Sequence, residues 1–243
     1  VKFTVRNASP NIRAFFLGEL GMPTVKNGYE KRLIQLIRQC PTCPWKDRKT
    51  QTVPPEGPVY AEIVILGRNP GKDEDWEGRP FVGKGGNGLN RFLSRAKIDR
   101  TKIWVTNTAK CFGGHGDPKP DQRVYDSCRH WLFAELCLIR PKLIVVLGAD
   151  ALINLTGWEV DSVLRMQGQV HYFGDTDTKI FILSHPGYWV RNPLWMKEVI
   201  FGEIGDFEES MAAKLKNLVE ELGIESARLE EDPGLFAELE EEG

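Results

Sequence analysis

Long apolar runs are missing from this chain. No stretch of its 243 residues comes near the roughly 20 consecutive apolar residues that a transmembrane helix needs. The opening residues, "VKFTVRNASPNIRAFF", hold no continuous apolar segment and do not read as a secretory signal. Cysteine is scarce, at five. A cytosolic compartment, where thiols stay reduced, is therefore expected, and it argues against a disulfide framework. There is no internal repeat. The phosphate-cradle fingerprints are absent too: "GKGGNG" matches neither the dinucleotide nor the P-loop pattern. The last 15 residues, Leu229 to Gly243, lack bases altogether and carry seven acids. Without those seven, 27 acids face 32 bases, so a net charge of −2 becomes +5 for the rest of the chain. A mildly basic body permits contact with nucleic acid without requiring it.

Strand and helix signals alternate in what remains. Residues 29–39, "YEKRLIQLIRQ", place Leu33, Ile34 and Ile37 on one helical face. "AEIVILG", "KIWVTN", "KLIVVLG" and "KIFILS" read as buried strands, the last preceded by a hairpin around "GDTD". Helices are expected around Asn90 to Ile98, over 121–140, over "ADALINLTG" and from Leu194 to Leu222. Such alternation predicts an α/β fold of three layers, α/β/α, around a mostly parallel, four-stranded sheet. The expected division is an N-terminal extension (1–28), one domain (29–222) and an acidic tail (223–243). Ligands bind at the carboxyl ends of parallel strands, and three motifs lie at such ends: "GRNPG", "TNTAKC" and "SHPGYW".

Each motif has a plain reading and a chemical one. Asn107 can form a turn, or its amide can make a two-point contact to the edge of a base or another cyclic amide. His185 can cap a strand end, or donate a hydrogen bond to a developing anion. Phe81, between Pro80 and Val82, can be core or a stacking platform. Cys40 and Cys43 form a Cys-x-x-Cys pair, and Cys111 and Cys128 flank a loop. Four reduced thiols suit zinc or a [4Fe–4S] cluster equally well by spacing, or they are plain core residues. Cys137, on the apolar face of its helix, reads as core.

Together "GRNPGKDEDWEGRPFVGKGG", "VTNTAKC", the four cysteines and "SHPGYWVRNP" resemble the iron–sulfur (family 4) uracil-DNA glycosylases. Gly67, Pro70, Gly71, Glu74, Asp75 and Gly78 to Gly83 match the family pattern, over a resemblance running from about Glu30 to Lys197. It implies a [4Fe–4S] cluster on Cys40, Cys43, Cys111 and Cys128, with a structural role. It implies that Phe81 stacks on a flipped uracil, that Asn107 reads its edge and that His185 faces its O2. Gly67, Arg68, Pro70 and Gly71 would complete the substrate pocket. Tyr188, Trp189 and Arg191 would enter the minor groove. The implied partner is DNA containing uracil or another deaminated base, met by a monomeric cytoplasmic enzyme with no membrane contact.

One departure matters. The family's Glu-Ala is Arg68-Asn69 here, and "GRNPG" is similar to the G-x-N-P-G motif of the mismatch-specific and single-strand-selective branches. There the asparagine positions the attacking water. Asn69 is thus expected to orient water rather than deprotonate it, with Glu74 and Asp75 nearby as carboxylates that could compensate. Arg68 is expected on a phosphate rather than on the base. His115, in the loop between two of the cysteines, lacks the basic surroundings that a covalent relative has there and reads as a loop residue. The alternatives are a glycosylase for hypoxanthine or xanthine, and a non-catalytic binder of uracil-containing or damaged DNA.

Overall fold

The computed structural model describes residues 26–229 other than 42, 46, 48, 117–118 and 203–209. Most of the expected N-terminal extension, and the acidic tail from 230 onward, lie outside the described residues. Residues 223–229, assigned above to the tail, belong to the packed body. Ile224 and Ala227 are fully buried, and Asp99 N–H donates to Ala227 O while Leu229 N–H donates to Lys97 O.

Five strands form one sheet: β1 (Ile63–Gly67), β2 (Trp104–Asn107), β3 (Leu143–Leu147), β4 (Val170–Tyr172) and β5 (Lys179–Leu183), in the order β2-β1-β3-β5-β4. The β1, β2, β3 and β5 pairings are parallel, and β4 pairs antiparallel with β5. The fifth strand corrects the expected count. The first arm of the "GDTD" hairpin is only three residues long, yet it pairs with β5 from Val170↔Phe181 to Tyr172↔Lys179 and becomes a partly exposed edge.

The central strands are apolar on both sides because helices cover both faces. Alternate side chains part company. Ile63, Ile65, Val105, Val145 and Phe181 face one cluster, while Val64, Leu66, Trp104, Ile144 and Ile182 face the other. The first cluster takes α3 (Lys84–Arg95), α6 (Pro186–Arg191), α7 (Pro193–Phe201) and α8 (Met211–Glu221). The second takes α1 (Lys26–Arg38), through Leu33 and Ile37, with α4 (Gln122–Ile139) and α5 (Ala149–Thr156). Local signals set the ends. Asp121 caps α4 by accepting from Val124 N–H, and Gly157 stops α5 in the left-handed region at φ 71°.

Two expected boundaries move. The helix expected from Asn90 begins at Lys84, so the glycine run is helical. At Gly86 a Cβ would lie 2.0 Å from Phe81 O, and at Gly88 one would lie 3.2 Å from Val190 Cγ2. These glycines let α3 approach its neighbours rather than cradle a phosphate. Where one helix is expected over 194–222, the described residues form two, α7 ending at Phe201 and α8 beginning at Met211. A short helix, α2 (Lys72–Glu77), follows "GRNPG".

Candidate active site

The chain leaves β1 for β2 on one side and later crosses to β3 and β5 on the other, so the strand order reverses between β1 and β3. The crevice at the carboxyl ends of such a pair is where open α/β sheets bind ligands. Here it is a pocket of about 650 Å³, within the range of small-molecule sites. Arg68, Asn69, Pro70, Gly71, Phe81, Asn107, His185, Tyr188 and Arg191 line it, all of them residues singled out from sequence. Gly67, also singled out, closes the floor as the last residue of β1. A Cβ there would lie 2.4 Å from Asn107 Oδ1 and 2.5 Å from Phe81 Cζ, so only glycine lets the asparagine and the ring meet.

Asn107 ends β2 and is 4% exposed. Its Oδ1 is buried with no hydrogen-bond partner among the described residues. A buried orphan carbonyl is uncommon in a native fold and calls for an explanation. Phe81, 6% exposed, has φ 54°, a left-handed conformation that costs a non-glycine residue about 1–2 kcal/mol. Its neighbours impose that shape. Glu74 accepts from Val82 N–H (3.1 Å) and Gly83 N–H (2.9 Å) through one oxygen and from Gly71 N–H (2.9 Å) through the other. Arg100 Nη2 donates to Pro80 O at 2.7 Å.

His185 is the N-cap of α6, its Nδ1 accepting from Gly187 N–H at 3.0 Å. An Nδ1 that accepts leaves the ring proton on Nε2, so the imidazole can donate while neutral. The ring lies 6.2 Å from that of Phe81, with planes 29° apart. Asn69 and Arg68 are joined: Arg68 Nε donates to Asn69 Oδ1 at 2.6 Å, and Asn69 Nδ2 donates to Pro70 O at 2.8 Å.

Several expectations change. Trp189, expected as a wedge, is fully buried: it packs on Phe92 and donates from Nε1 to Ser184 Oγ at 2.7 Å. It is a core residue because α6 turns it toward the sheet. Glu74 and Asp75 do not stand ready as compensating bases. The first clamps the two loops as above, and the second is buried and accepts from Thr50 and Gln51 N–H. Arg68 is engaged by protein groups, Asn69 and the Asp150 carboxylate at 3.8 Å. His115 is exposed and not part of the pocket lining. Cys137 is half-buried rather than core, and burial pushes its thiol up to about 12.

Asp150, Lys110 and Glu135 contribute to the site with little signal in the sequence. Asp150 enters from the end of β3, a strand end with no motif to mark it. It also pairs with Lys119. Beneath Asn107 lies a buried ion pair, Lys110 with Glu135 of α4 at 2.6 Å, the side chains 1% and 0% exposed. Lys110 Nζ also donates to Thr106 Oγ1 at 2.7 Å and to Asn107 O at 2.5 Å. Trp104 Nε1 donates to Glu135 Oε2. The signal was weak, a lysine directly before a cysteine and a lone glutamate on an apolar helix face. Leu194, three residues beyond Arg191, is 85% exposed.

The four cysteines share one neighbourhood. Cys111 and Cys128 are buried with Trp45, Val124 and Tyr125, and Cys43 packs against them. Contact with the Cys43 sulfur, and then burial, pushes the Cys111 thiol far up. Burial raises Cys128 to about 11, with Cys43 and Cys40 adding to the rise. Trp45 N–H points at Cys43 Sγ (3.2 Å) and Trp131 Nε1 at Cys40 Sγ (3.4 Å). Among the described residues, no group of three or more His, Cys, Asp or Glu could hold a metal ion as placed. The donor set still fits a thiolate-bound group. Cys111 and Cys128, kept protonated by burial and neighbouring sulfur, ionise only with a compensating cation, and the N–H donors on Cys43 and Cys40 sulfur suit thiolates.

A family model described as the uracil DNA glycosylase superfamily matches residues 54–204. The chain is 33% identical to the Type-4 uracil-DNA glycosylase of Thermotoga maritima over 158 residues, 64% of this chain and 80% of that one. It is 30% identical to the enzyme of that name from Pyrobaculum aerophilum over 168 residues, 67% and 85% of the two chains. To that from Archaeoglobus fulgidus it is 33% identical over 172 residues, 68% and 85%. The matched segment spans all five strands and every loop that lines the pocket, and on these grounds the chain belongs to the uracil DNA glycosylase superfamily.

Proposed function

We propose that this chain is a monofunctional DNA glycosylase that hydrolyses the N-glycosidic bond of deoxyuridine and leaves an abasic site. The observation that carries this reading is the orphan Asn107 Oδ1, buried at the pocket floor between Phe81 and Gly67. A ligand N–H satisfies it, and uracil presents N3–H beside O4, so one amide can contact both. Phe81 supplies the apolar face on which the ring stacks. A base inside a duplex cannot reach this floor, so the nucleotide is flipped out.

In the reaction the C1′–N1 bond breaks and its electron pair leaves with uracil. His185 donates from Nε2 to the developing anion. A water held by Asn69 adds its oxygen to C1′ and its proton passes to the uracil anion, leaving free uracil and an abasic site. Asn69 has no basic carboxylate, so this order, bond breaking before water attack, is the one its chemistry serves. Arg191, Lys72 and Lys84 on the rim carry charge suited to phosphates. With Trp189 in the core, the wedge passes to Tyr188, Arg191 and Leu194.

Cys40, Cys43, Cys111 and Cys128 are the residues that would hold a [4Fe–4S] cluster. It would supply a cross-link between the segment after α1, the loop after β2 and α4. Brown protein absorbing near 400 nm supports this; colourless protein with stoichiometric zinc refutes it. We also place the enzyme as a cytoplasmic monomer acting on DNA at the nucleoid. No described helix is long and apolar enough to cross a membrane.

The test is release of free base by cluster-loaded protein from oligonucleotides carrying uracil, hypoxanthine or xanthine. Uracil release from single-stranded, U·G or U·A substrate is expected. Release of only the purines reassigns the substrate, since side-chain amides also read purine edges. Tight binding without release makes the protein a non-catalytic binder.

A further inference from the structure

The residue pair that sets this chain apart from the family pattern is also the pair that the structure ties together. We propose that Arg68, held by Asp150, is a positioning residue that fixes the amide of Asn69 for water placement. The proposal rests on the reading of Asn69 as the water-holding residue.

The donor chemistry settles the amide's orientation. A guanidinium only donates, so the Asn69 atom facing Arg68 Nε at 2.6 Å is the oxygen. A backbone carbonyl only accepts, so the atom facing Pro70 O at 2.8 Å is the nitrogen. Both contacts demand the same flip, and neither would survive the other one. One lone pair of Oδ1 and one N–H of Nδ2 remain, and both belong to a residue that lines the pocket. A water that donates to that lone pair is placed rather than merely present.

Arg68 is itself held from three directions. Its backbone carbonyl accepts from Ala109 N–H (2.9 Å) and Thr108 Oγ1 (2.6 Å), which ties it to the loop after β2. Its Nη1 lies 3.8 Å from Asp150 Oδ2. Asp150 also takes Lys119 from the loop that precedes α4. Two loops thus converge on one carboxylate, in the first turn of α5, that is only 19% exposed.

Charge gives Asp150 a second task. Departure of an anionic base leaves positive charge on the sugar. An unneutralised guanidinium beside the attacking water would oppose that charge in a partly desolvated pocket. Asp150 offsets it, so the guanidinium can orient the amide without repelling the sugar. A phosphate contact for Arg68, the expectation from sequence, would draw on N–H groups other than the Nε–H that Asn69 takes.

Single-turnover base release and binding affinity on one uracil oligonucleotide separate these roles. Arg68→Ala should slow release by about tenfold to a hundredfold, the usual consequence of a mispositioned reacting group, with affinity little changed. Arg68→Gln, which keeps an N–H donor without the charge, should recover part of the rate. Asp150→Asn should slow release without weakening binding. The deciding measurement is a double-mutant cycle: in an Asn69→Ala background, Arg68→Ala should slow release no further. Additive losses overturn the proposal, as does an Arg68→Ala enzyme with weakened binding and an unchanged rate. If Asn69→Ala alone releases base at the wild-type rate, the reading of Asn69 fails and this one with it. If Asn69→Ala is slow while Arg68→Ala is not, only this one fails. Melting temperatures identify a variant that has merely lost its fold, and Arg68→Gln then carries the test.

Discussion

Asn107 shows how a single atom can link stability to function. Its Oδ1 has been taken out of water and given no protein partner, an arrangement that disfavours folding by about 1–3 kcal/mol. On the proposed reading, the N–H of a bound base supplies the donor. Asn107→Ala should therefore hold or raise the melting temperature while lowering kcat/KM by about ten- to a hundredfold, the loss expected for hydrogen bonds of this strength. A large loss of stability with intact activity would make Asn107 structural. Phe81 follows the same logic. Its positive φ is strain imposed by Glu74, Arg100 and Gly86, and strain of this kind collects where a side chain must be aimed. Glu74→Ala would strand the N–H groups of Gly71, Val82 and Gly83 together. It should lower both the melting temperature and the rate, because the loop that aims Phe81 relaxes.

At the scale of elements, the sheet was legible and its fastenings were not. The four apolar runs that became β1, β2, β3 and β5 are buried on both faces, and continuous hydrophobicity is a direct consequence of that burial. The helix ends at Asp121 and Gly157 follow from backbone and side-chain chemistry that admits few alternatives. The wedge assignment failed at Trp189, since six helical residues do not show which face meets the core. Nor could sequence pair Lys110 with Glu135, which are separated by a loop and most of α4. That ion pair joins the end of β2 to α4 and holds the Asn107 carbonyl. Breaking it by Lys110→Met leaves the buried Glu135 carboxyl without its cation and with the Trp104 N–H as its remaining donor, at a cost of about 3–5 kcal/mol by thermal or urea unfolding. Replacing both, as Lys110→Met with Glu135→Leu, should restore most of that stability. If the pair serves Asn107, the stable double variant will still release uracil slowly. Full activity in it would reduce the pair to scaffolding.

Across the whole molecule the pocket opens on one end of the sheet. Its rim carries Lys72, Lys84 and Arg191, and the exposed Leu194 follows Arg191 by three residues in the chain. Exposure of one leucine is ordinary in a soluble protein. This one matters for where it is, in "RNPL", just past the helix that His185 caps and that supplies Tyr188 and Arg191 to the pocket. A flipped nucleotide leaves a gap in the base stack, and an apolar side chain that fills it offsets the unstacking. Burying a leucine contributes about 1.5–3 kcal/mol, so Leu194→Ala should lower kcat/KM on a uracil duplex by roughly ten- to a hundredfold. Single-stranded substrate has no stack to restore and no partner strand to displace, so its turnover should scarcely change. The ratio of the two rates is the measurement. It is insensitive to a general loss of active protein, since both substrates would suffer alike. Equal losses on both would mean that Leu194 supports the pocket rather than the duplex. No loss on either would remove it from the DNA-binding face and leave Tyr188 and Arg191 as the side chains that hold the gap open.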